Sequence, residues 1–241
     1  MSEKVSVEKL ERGLHQLNIS FSNHQIDQLV DYYHMVVEKN KVMNLTAITE
    51  FDEFVEKHFL DSLSLSLVLD MSVNYHMLDL GTGAGFPGIP LKILFPNLKV
   101  TLMDSLNKRI MFLNEVIDRL HLSNIEAVHG RAEEAARKKE YREKFDLCVS
   151  RAVANISTLS EYCIPFIKKG GVFISYKSGQ IEDEVSLGKR GISILGGKVS
   201  QVYKFVLPET DLERSFVVID KLKNTPKIYP RKAGTPAKDP L

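Results

Sequence analysis

Glycines at alternate positions, Gly81, Gly83 and Gly85, close an apolar run over residues 75–80 and open onto Phe86-Pro87-Gly88. Residues without a Cβ let the backbone turn tightly and approach a ligand, and the free N–H groups of the helix expected over residues 87–95 face that ligand. This spacing is the pattern of a strand–loop–helix nucleotide cradle, and it satisfies two templates. Gly83-x-Gly85-x-x-Gly88 also spells the dinucleotide fingerprint of NAD-binding domains. Asp79, at the end of the strand, tilts the choice. A carboxylate there repels a pyrophosphate and attracts the ammonium and sulfonium of S-adenosylmethionine.

A second carboxylate stands where a bound nucleoside needs one. Residues 98–103 read as a strand ending in Asp104, 19 residues beyond Gly85, and a carboxylate at that point can accept from both ribose hydroxyls. The placement suits NAD and S-adenosylmethionine alike. A helix is expected over 105–120, a third strand over 125–129 and a turn at Gly130-Arg-Ala-Glu133. A fourth strand over 145–150 ends in Arg151-Ala-Val-Ala154. In open parallel sheets ligands sit at these strand ends, so Arg151 marks the side from which an acceptor approaches. His58 and Asp61, three residues apart, share a helix face; with no third ligand in view, a helix-anchoring or substrate-facing role is expected and no metal site.

The elements that must position these residues follow from periodicity. Helices are expected over the first seventy residues, including 25–37, where Ile26, Leu29, Val30, Tyr33, Met35 and Val37 fall mostly on one stripe. Residues 156–167 read as a helix, 171–176 as a fifth strand and 181–195 as another helix. Strands 199–207 and 215–221 pair with each other at one end of the sheet. Strand and helix alternate throughout, which predicts an α/β fold: a doubly wound, seven-stranded, mostly parallel sheet. The expected division is a helical extension (1–70), a catalytic domain (71–221) and a tail (222–241).

A chain of 241 residues with 44% apolar content can bury one large core without disulfides or metals. Cys148 and Cys163 lack metal or redox spacing and read as buried fillers in a reducing compartment. No apolar run reaches membrane-spanning length and the polar start has no signal-peptide core, so a cytoplasmic protein is expected, with a monomer as the default. Charge is unevenly spread: residues 1–70 hold 6 basic and 12 acidic side chains, and residues 221–241 hold 6 basic and 1 acidic. The tail also carries four of the nine prolines. It is therefore expected to be an extended, mobile arm suited to a polyanion, with Lys227, Arg231 and Lys232 on phosphates and Tyr229 stacking a base.

Seven segments in order resemble the RsmG family (glucose-inhibited division protein B), bacterial methyltransferases acting on guanine N7 of 16S rRNA. They are Asn44-Leu-Thr-Ala-Ile-Thr49, His58-Phe-Leu-Asp-Ser-Leu63, Leu78-Asp-Leu-Gly-Thr-Gly-Ala-Gly-Phe-Pro-Gly-Ile-Pro90, Asp104-Ser-Leu-Asn-Lys-Arg109, Gly130-Arg-Ala-Glu133, Ser150-Arg-Ala-Val-Ala154 and Tyr229-Pro-Arg-Lys-Ala-Gly-Thr-Pro236. The resemblance covers nearly the whole chain. It implies a class I S-adenosylmethionine-dependent methyltransferase whose cofactor site draws on Gly81, Phe86, Asp104, Ser105, Leu106, Ala132, Glu133 and Arg151. The implied target is a guanine in the decoding-region loop of 16S rRNA, in the small ribosomal subunit or its precursor. Tyr176-Lys-Ser-Gly179 follows the family pattern more loosely, and the role of Lys177 stays open.

That chemistry asks little of side chains. Guanine N7 carries an in-plane lone pair and no proton, so alignment rather than a general base is needed; Arg151 is the candidate for shaping the acceptor side, and Lys108 and Arg109 for steering phosphates. Cys148 lies inside a strand, which argues against a covalent cytosine-C5 mechanism. No Asp/Asn-Pro-Pro-aromatic signature of exocyclic-amine enzymes follows the fourth strand. Two other classes stay in view: an NAD-dependent oxidoreductase, which Asp79 and the lack of a tyrosine with a lysine four residues later disfavour, and a catalytically idle RNA-binding assembly factor, which would not need an intact glycine loop.

Overall fold

The computed structural model describes residues 5–151 and 154–241. Ala152 and Val153 of the acceptor-side motif lie outside the described residues. Seven strands, β1 (His76–Leu80), β2 (Lys99–Asp104), β3 (Ile125–His129), β4 (Phe145–Ser150), β5 (Ile167–Ser178), β6 (Gly197–Val206) and β7 (Glu213–Lys221), form one sheet in the order β3-β2-β1-β4-β5-β7-β6. The first five are parallel. β7 runs antiparallel to both β5 and β6, so the expected terminal pairing stands at one edge. The order reverses at β1 and β4. Their carboxyl ends therefore diverge into a crevice, the place where open α/β sheets take ligands.

Alternation along the strands sorts side chains onto two faces. Met77, Leu147, Val149 and Ile174 point into one buried cluster, and Leu78, Cys148 and Phe173 into the other. The second face is covered by α7 (Ala132–Ala135), α8 (Ile156–Cys163) and α9 (Glu182–Ile194). The first is covered by α5 (Gly88–Leu94) and α6 (Asn107–Arg119) and by the N-terminal helices. Those are α1 (Glu8–Gln16), α2 (Asn23–Met43) and a continuous helical run made of α3 (Phe51–Phe54), a π-helical turn (Val55–Leu60) and α4 (Asp61–Leu63). Leu10, Tyr32, Phe54 and Phe59 are all fully buried in the cluster that holds Ile89, Leu113 and Ile174, so the helical extension shares its core with the sheet.

α2 is longer than its apolar stripe implies. It starts with a capping box between Ser22 and Gln25 and ends at Asn44 in the left-handed region, where Asn and Gly are favoured. Its polar residues hold the neighbouring helices: Gln25 donates to the carbonyl of Ile93 and Gln28 to that of Leu120, at 2.7 and 2.8 Å. These bonds satisfy carbonyls that helix ends leave free.

The tail departs from expectation. Residues 222–241 lie against α7 and α8 and end in a short helix, α10 (Thr235–Lys238), rather than forming a free arm. Arg231 grips the fully buried Glu161 of α8, with Nη2 2.7 Å from Oε2 and the backbone N–H 2.6 Å from Oε1. Thr158 donates to the carbonyl of Pro236 and Arg137 to that of Pro230. A buried carboxylate demands such partners, and the tail supplies them.

Candidate active site

The loops after β1, β2 and β3 meet on Asp104. Its Oδ2 accepts from the Gly83 N–H at 3.0 Å and from Arg109 Nη1 at 3.0 Å, its Oδ1 from the Leu106 N–H at 2.9 Å, and its carbonyl from the Gly130 N–H. A carboxylate has about four lone-pair sites, so acceptor capacity is left for a ligand hydroxyl. Arg109 is thereby held in an ion pair, while Lys108 stands exposed at the start of α6. Beside Asp104, Ser105 is exposed and Leu106 presents an apolar side chain that is 42% exposed.

The glycines have distinct duties. Gly83 has φ +62° and a Cβ placed on it would meet nothing within 4 Å, so its backbone borders open space. A Cβ on Gly85 would strike Tyr32 Oη and Ile89 Cγ1, each at 2.6 Å. Gly83 thus borders open space and Gly85 faces the core. Tyr32, fully buried on α2, donates to the carbonyl of Ala84 at 2.7 Å and fixes the loop from below.

Asp79 is buried beneath the loop rather than displayed in it. Its Oδ2 accepts from Thr82 Oγ1 at 2.7 Å and from the Gly88 N–H at 2.8 Å, while Oδ1 has no hydrogen-bond partner among the described residues. Burial raises its pKa to about 7 against the help of those two bonds. The group is a half-satisfied carboxyl poised between its two protonation states, and a cation above the loop would favour the ionised one.

At the end of β4 a guanidinium clamp forms. Arg151, after β4, places Nη1 3.2 Å from Asp61 Oδ2 and 2.9 Å from Ser62 Oγ, and donates to the carbonyls of Lys57 and His58. Those carbonyls belong to the π-helical turn, an irregularity that recurs at functional sites. Asp61 also takes Arg214 Nε from β7 at 3.0 Å. Arg151 lies 5.8 Å from the centre of the Phe86 ring, on which His58 stacks at 4.5 Å and 10°. Burial first, then the charges of Arg151 and Lys57, lowers the His58 pKa to about 3. The imidazole is therefore a neutral plate, with Nε2 2.8 Å from Thr46 Oγ1. Next to the clamp opens a groove of about 510 Å³, lined by Asp61, Arg151, Asn155, Tyr176, Lys177 and Arg214 among others. Lys177 bonds the carbonyl of Ala154 and Glu184 Oε1, tying the acceptor loop to α9.

A family model described as "GidB: rRNA small subunit methyltransferase G" matches residues 25–215. The chain belongs to this family. Curated relatives agree: Ribosomal RNA small subunit methyltransferase G of Lachnoclostridium phytofermentans is 55% identical over 230 residues, 95% of each chain. The protein of the same name from Alkaliphilus metalliredigens is 48% identical over 96% of this chain and 97% of its own. Among solved structures, the fibrillarin pre-rRNA processing protein of Methanococcus jannaschii matches at TM-score 0.51 with 19% identity, over 65% of this chain and 70% of its own. A putative sarcosine dimethylglycine methyltransferase from Galdieria sulphuraria matches at TM-score 0.51 with 13% identity, over 68% and 84%. These two share the α/β fold of this chain.

Of the residues singled out in the sequence, Gly81, Gly83, Asp104 and Leu106 converge on one cradle, and Phe86 and Arg151 on the adjoining clamp. Ala132 is half-buried at the third loop, but the Glu133 carboxylate is buried and accepts from the Gly234 N–H of the tail at 2.9 Å. Of the tail candidates, Arg231 is bound to Glu161 and Tyr229 is half-buried against the second core cluster, leaving Lys227 and Lys232 exposed. Tyr32, Thr46 and Arg214 were missed. Their partners lie 52, 12 and 153 residues away, and no local spacing signals such pairs.

Proposed function

We propose that this chain transfers a methyl group from S-adenosylmethionine to N7 of a guanine in the decoding-region loop of 16S rRNA, within the small ribosomal subunit or its precursor in the cytoplasm. The observation that carries the reading is the adjacency of two devices at the β1/β4 switch point: a glycine cradle with open space over Gly83 and an arginine clamp beside a groove at the end of β4.

The cradle fits this donor. Open space over Gly83 and spare acceptor capacity on Asp104 suit a bound nucleoside, and the Asp79 carboxyl buried beneath the loop, with Oδ1 unpartnered among the described residues, favours a cationic one over a pyrophosphate. Gly81, Gly83 and Phe86 would border it, with Gly85 shaping the loop from the core side, Asp79 acting from beneath, Asp104 on the ribose, Ser105 and Leu106 beside the base, and Ala132 and Glu133 at its edge. S-adenosylmethionine, when bound, supplies an electrophilic methyl carbon.

The chain's own residues then orient and desolvate. Guanine N7 needs no proton removed, and the ionisable groups lining the groove are already engaged: Asp61 by two guanidiniums, Lys177 by Glu184. Arg151, anchored at four points and set against Phe86, fixes the wall against which the purine settles. Holding reactants in line in this way is worth roughly 7–11 kcal/mol in favourable cases. Because a duplex hides N7 in the deep major groove of RNA, the target base enters from a loop or splayed out.

Two measurements test this. Calorimetry should give heat of binding with S-adenosylmethionine and none with NAD. Mapping of N7-methylguanines in 16S rRNA from cells with and without the protein should show one decoding-loop guanine that loses its mark; an unchanged map would reject the assignment.

A further inference from the structure

Away from the crevice, residues 137–144 carry Arg137, Lys138, Lys139, Arg142 and Lys144 against two carboxylates, Glu140 and Glu143. Arg137, Lys139, Arg142, Glu143, Lys144 and Lys227 line a hollow of about 420 Å³. The acid in that wall is already engaged. Glu143 accepts from the Thr225 N–H at 2.8 Å and pairs with the buried Lys221 at 3.4 Å. Among the described residues, Arg137 and Arg142 bond only neutral carbonyls, those of Ile228, Pro230, Tyr229, Thr225 and Pro226 in the tail and that of Ala136. Such bonds fix their direction without cancelling their charge. Lys139, Lys144 and Lys227 are exposed and have no carboxylate partner among the described residues. Five like charges on one concave wall repel one another and raise the local anion concentration.

Position distinguishes this hollow from the acceptor groove. Lys144 immediately precedes β4 and Arg151 immediately follows it, so the two cation clusters stand at opposite ends of one six-residue strand, about 20 Å apart at ~3.3 Å per residue. No single nucleotide reaches both.

We propose that this hollow is a second, distal phosphate-binding surface that grips the RNA backbone remote from the base being methylated. It rests on the reading of the chain as an rRNA methyltransferase and adds how a large folded RNA is held. Lys139, Lys144 and Lys227 contact phosphates as mobile point charges, while Arg137 and Arg142 are pre-set by the tail. The tail is thereby a scaffold for the surface. Contacts of this kind carry no sequence information; they set orientation and salt dependence.

The test uses the full-length chain, 16S rRNA transcript as probe, and the double variants Lys139→Glu/Lys144→Glu and Lys139→Arg/Lys144→Arg. Each lost phosphate contact flattens the plot of log K against log salt by about 0.7–0.9. The Glu pair should therefore reduce the slope by about 1.4–1.8 and raise KM for the RNA about tenfold or more at moderate salt, leaving kcat and S-adenosylmethionine affinity unchanged; the Arg pair should behave as wild type. Slope and KM unaltered by the Glu pair would overturn the proposal. So would loss of inorganic pyrophosphate binding in the Glu pair with the RNA slope unmoved, which would assign the hollow to a small anion. Failure of the functional reading would look different: wild-type chain that takes up no methyl donor.

Discussion

The carboxyl of Asp79 makes a prediction whose sign and size both follow from burial. Its pKa lies at about 7 in the fold against an ordinary 3.8, so the native state retains a proton that the unfolded chain has already lost. A raised carboxyl destabilises the fold as pH climbs: the penalty is absent below the unfolded value, grows between the two, and is full above the folded value. Three units at about 1.4 kcal/mol each give about 4 kcal/mol in total. Between about pH 5 and about pH 8.5 the share falling in that window is about 3 kcal/mol. Asp79→Asn cannot ionise. Its carbonyl can keep the bonds from Thr82 and Gly88, and its amide then occupies the unpartnered Oδ1 position, at a pH-independent cost of about 1–3 kcal/mol. Urea unfolding of both proteins at the two pH values isolates the ionisation, because that fixed cost cancels in the double difference. Relative to wild type, the variant should gain about 3 kcal/mol on going from the lower to the higher pH. A difference that does not change with pH would refute the argument that burial governs this group.

Other substitutions separate site from scaffold. Gly83→Val should abolish S-adenosylmethionine binding by calorimetry while costing only about 1–2 kcal/mol of stability for a side chain at positive φ; Gly85→Ala should do the reverse, lowering the melting temperature because its Cβ meets Tyr32 and Ile89 at 2.6 Å. Asp61→Asn releases both Arg151 and Arg214 from their carboxylate and should lower kcat on rRNA at least about tenfold, with donor affinity reduced far less; equal losses in both would place Arg151 on the cofactor alone. Arg231→Ala leaves Glu161 buried without its cation and should cost about 3–5 kcal/mol in denaturant unfolding; near-wild-type stability would return the tail to the status of a free arm.

The strands themselves and the glycine loop after β1 were legible because their signals are local, whereas the order of the strands across the sheet is not a local property. Alternating glycines, a carboxylate at the end of β2 and apolar runs of strand length all lie within a few residues of what they determine. Cys148 and Cys163, read as fillers, are both buried and free. The clamp was only half legible. Asp61 and Arg151 stood out in the sequence, but their pairing depends on folding an N-terminal helix over the strand ends, and Arg214 arrives from a strand whose role looked purely structural. The tail misled for the same reason: proline and basic content describe an extended arm in isolation, yet Glu161, seventy residues upstream, is buried with no other cation among the described residues and draws Arg231 in. Asp79 was read as facing the ligand because strand periodicity does not reveal that Thr82 and Gly88 turn back over it.

The central claim is that cradle and clamp together deliver a methyl group to a guanine ring nitrogen. The most direct test incubates the purified chain with S-adenosylmethionine carrying a labelled methyl and small subunits from cells lacking the protein, then maps the label by N7-methylguanine-specific strand scission. Label is expected on one decoding-loop guanine of 16S rRNA, lost with Gly83→Val. Label on a cytosine, on an exocyclic amine or nowhere would contradict it.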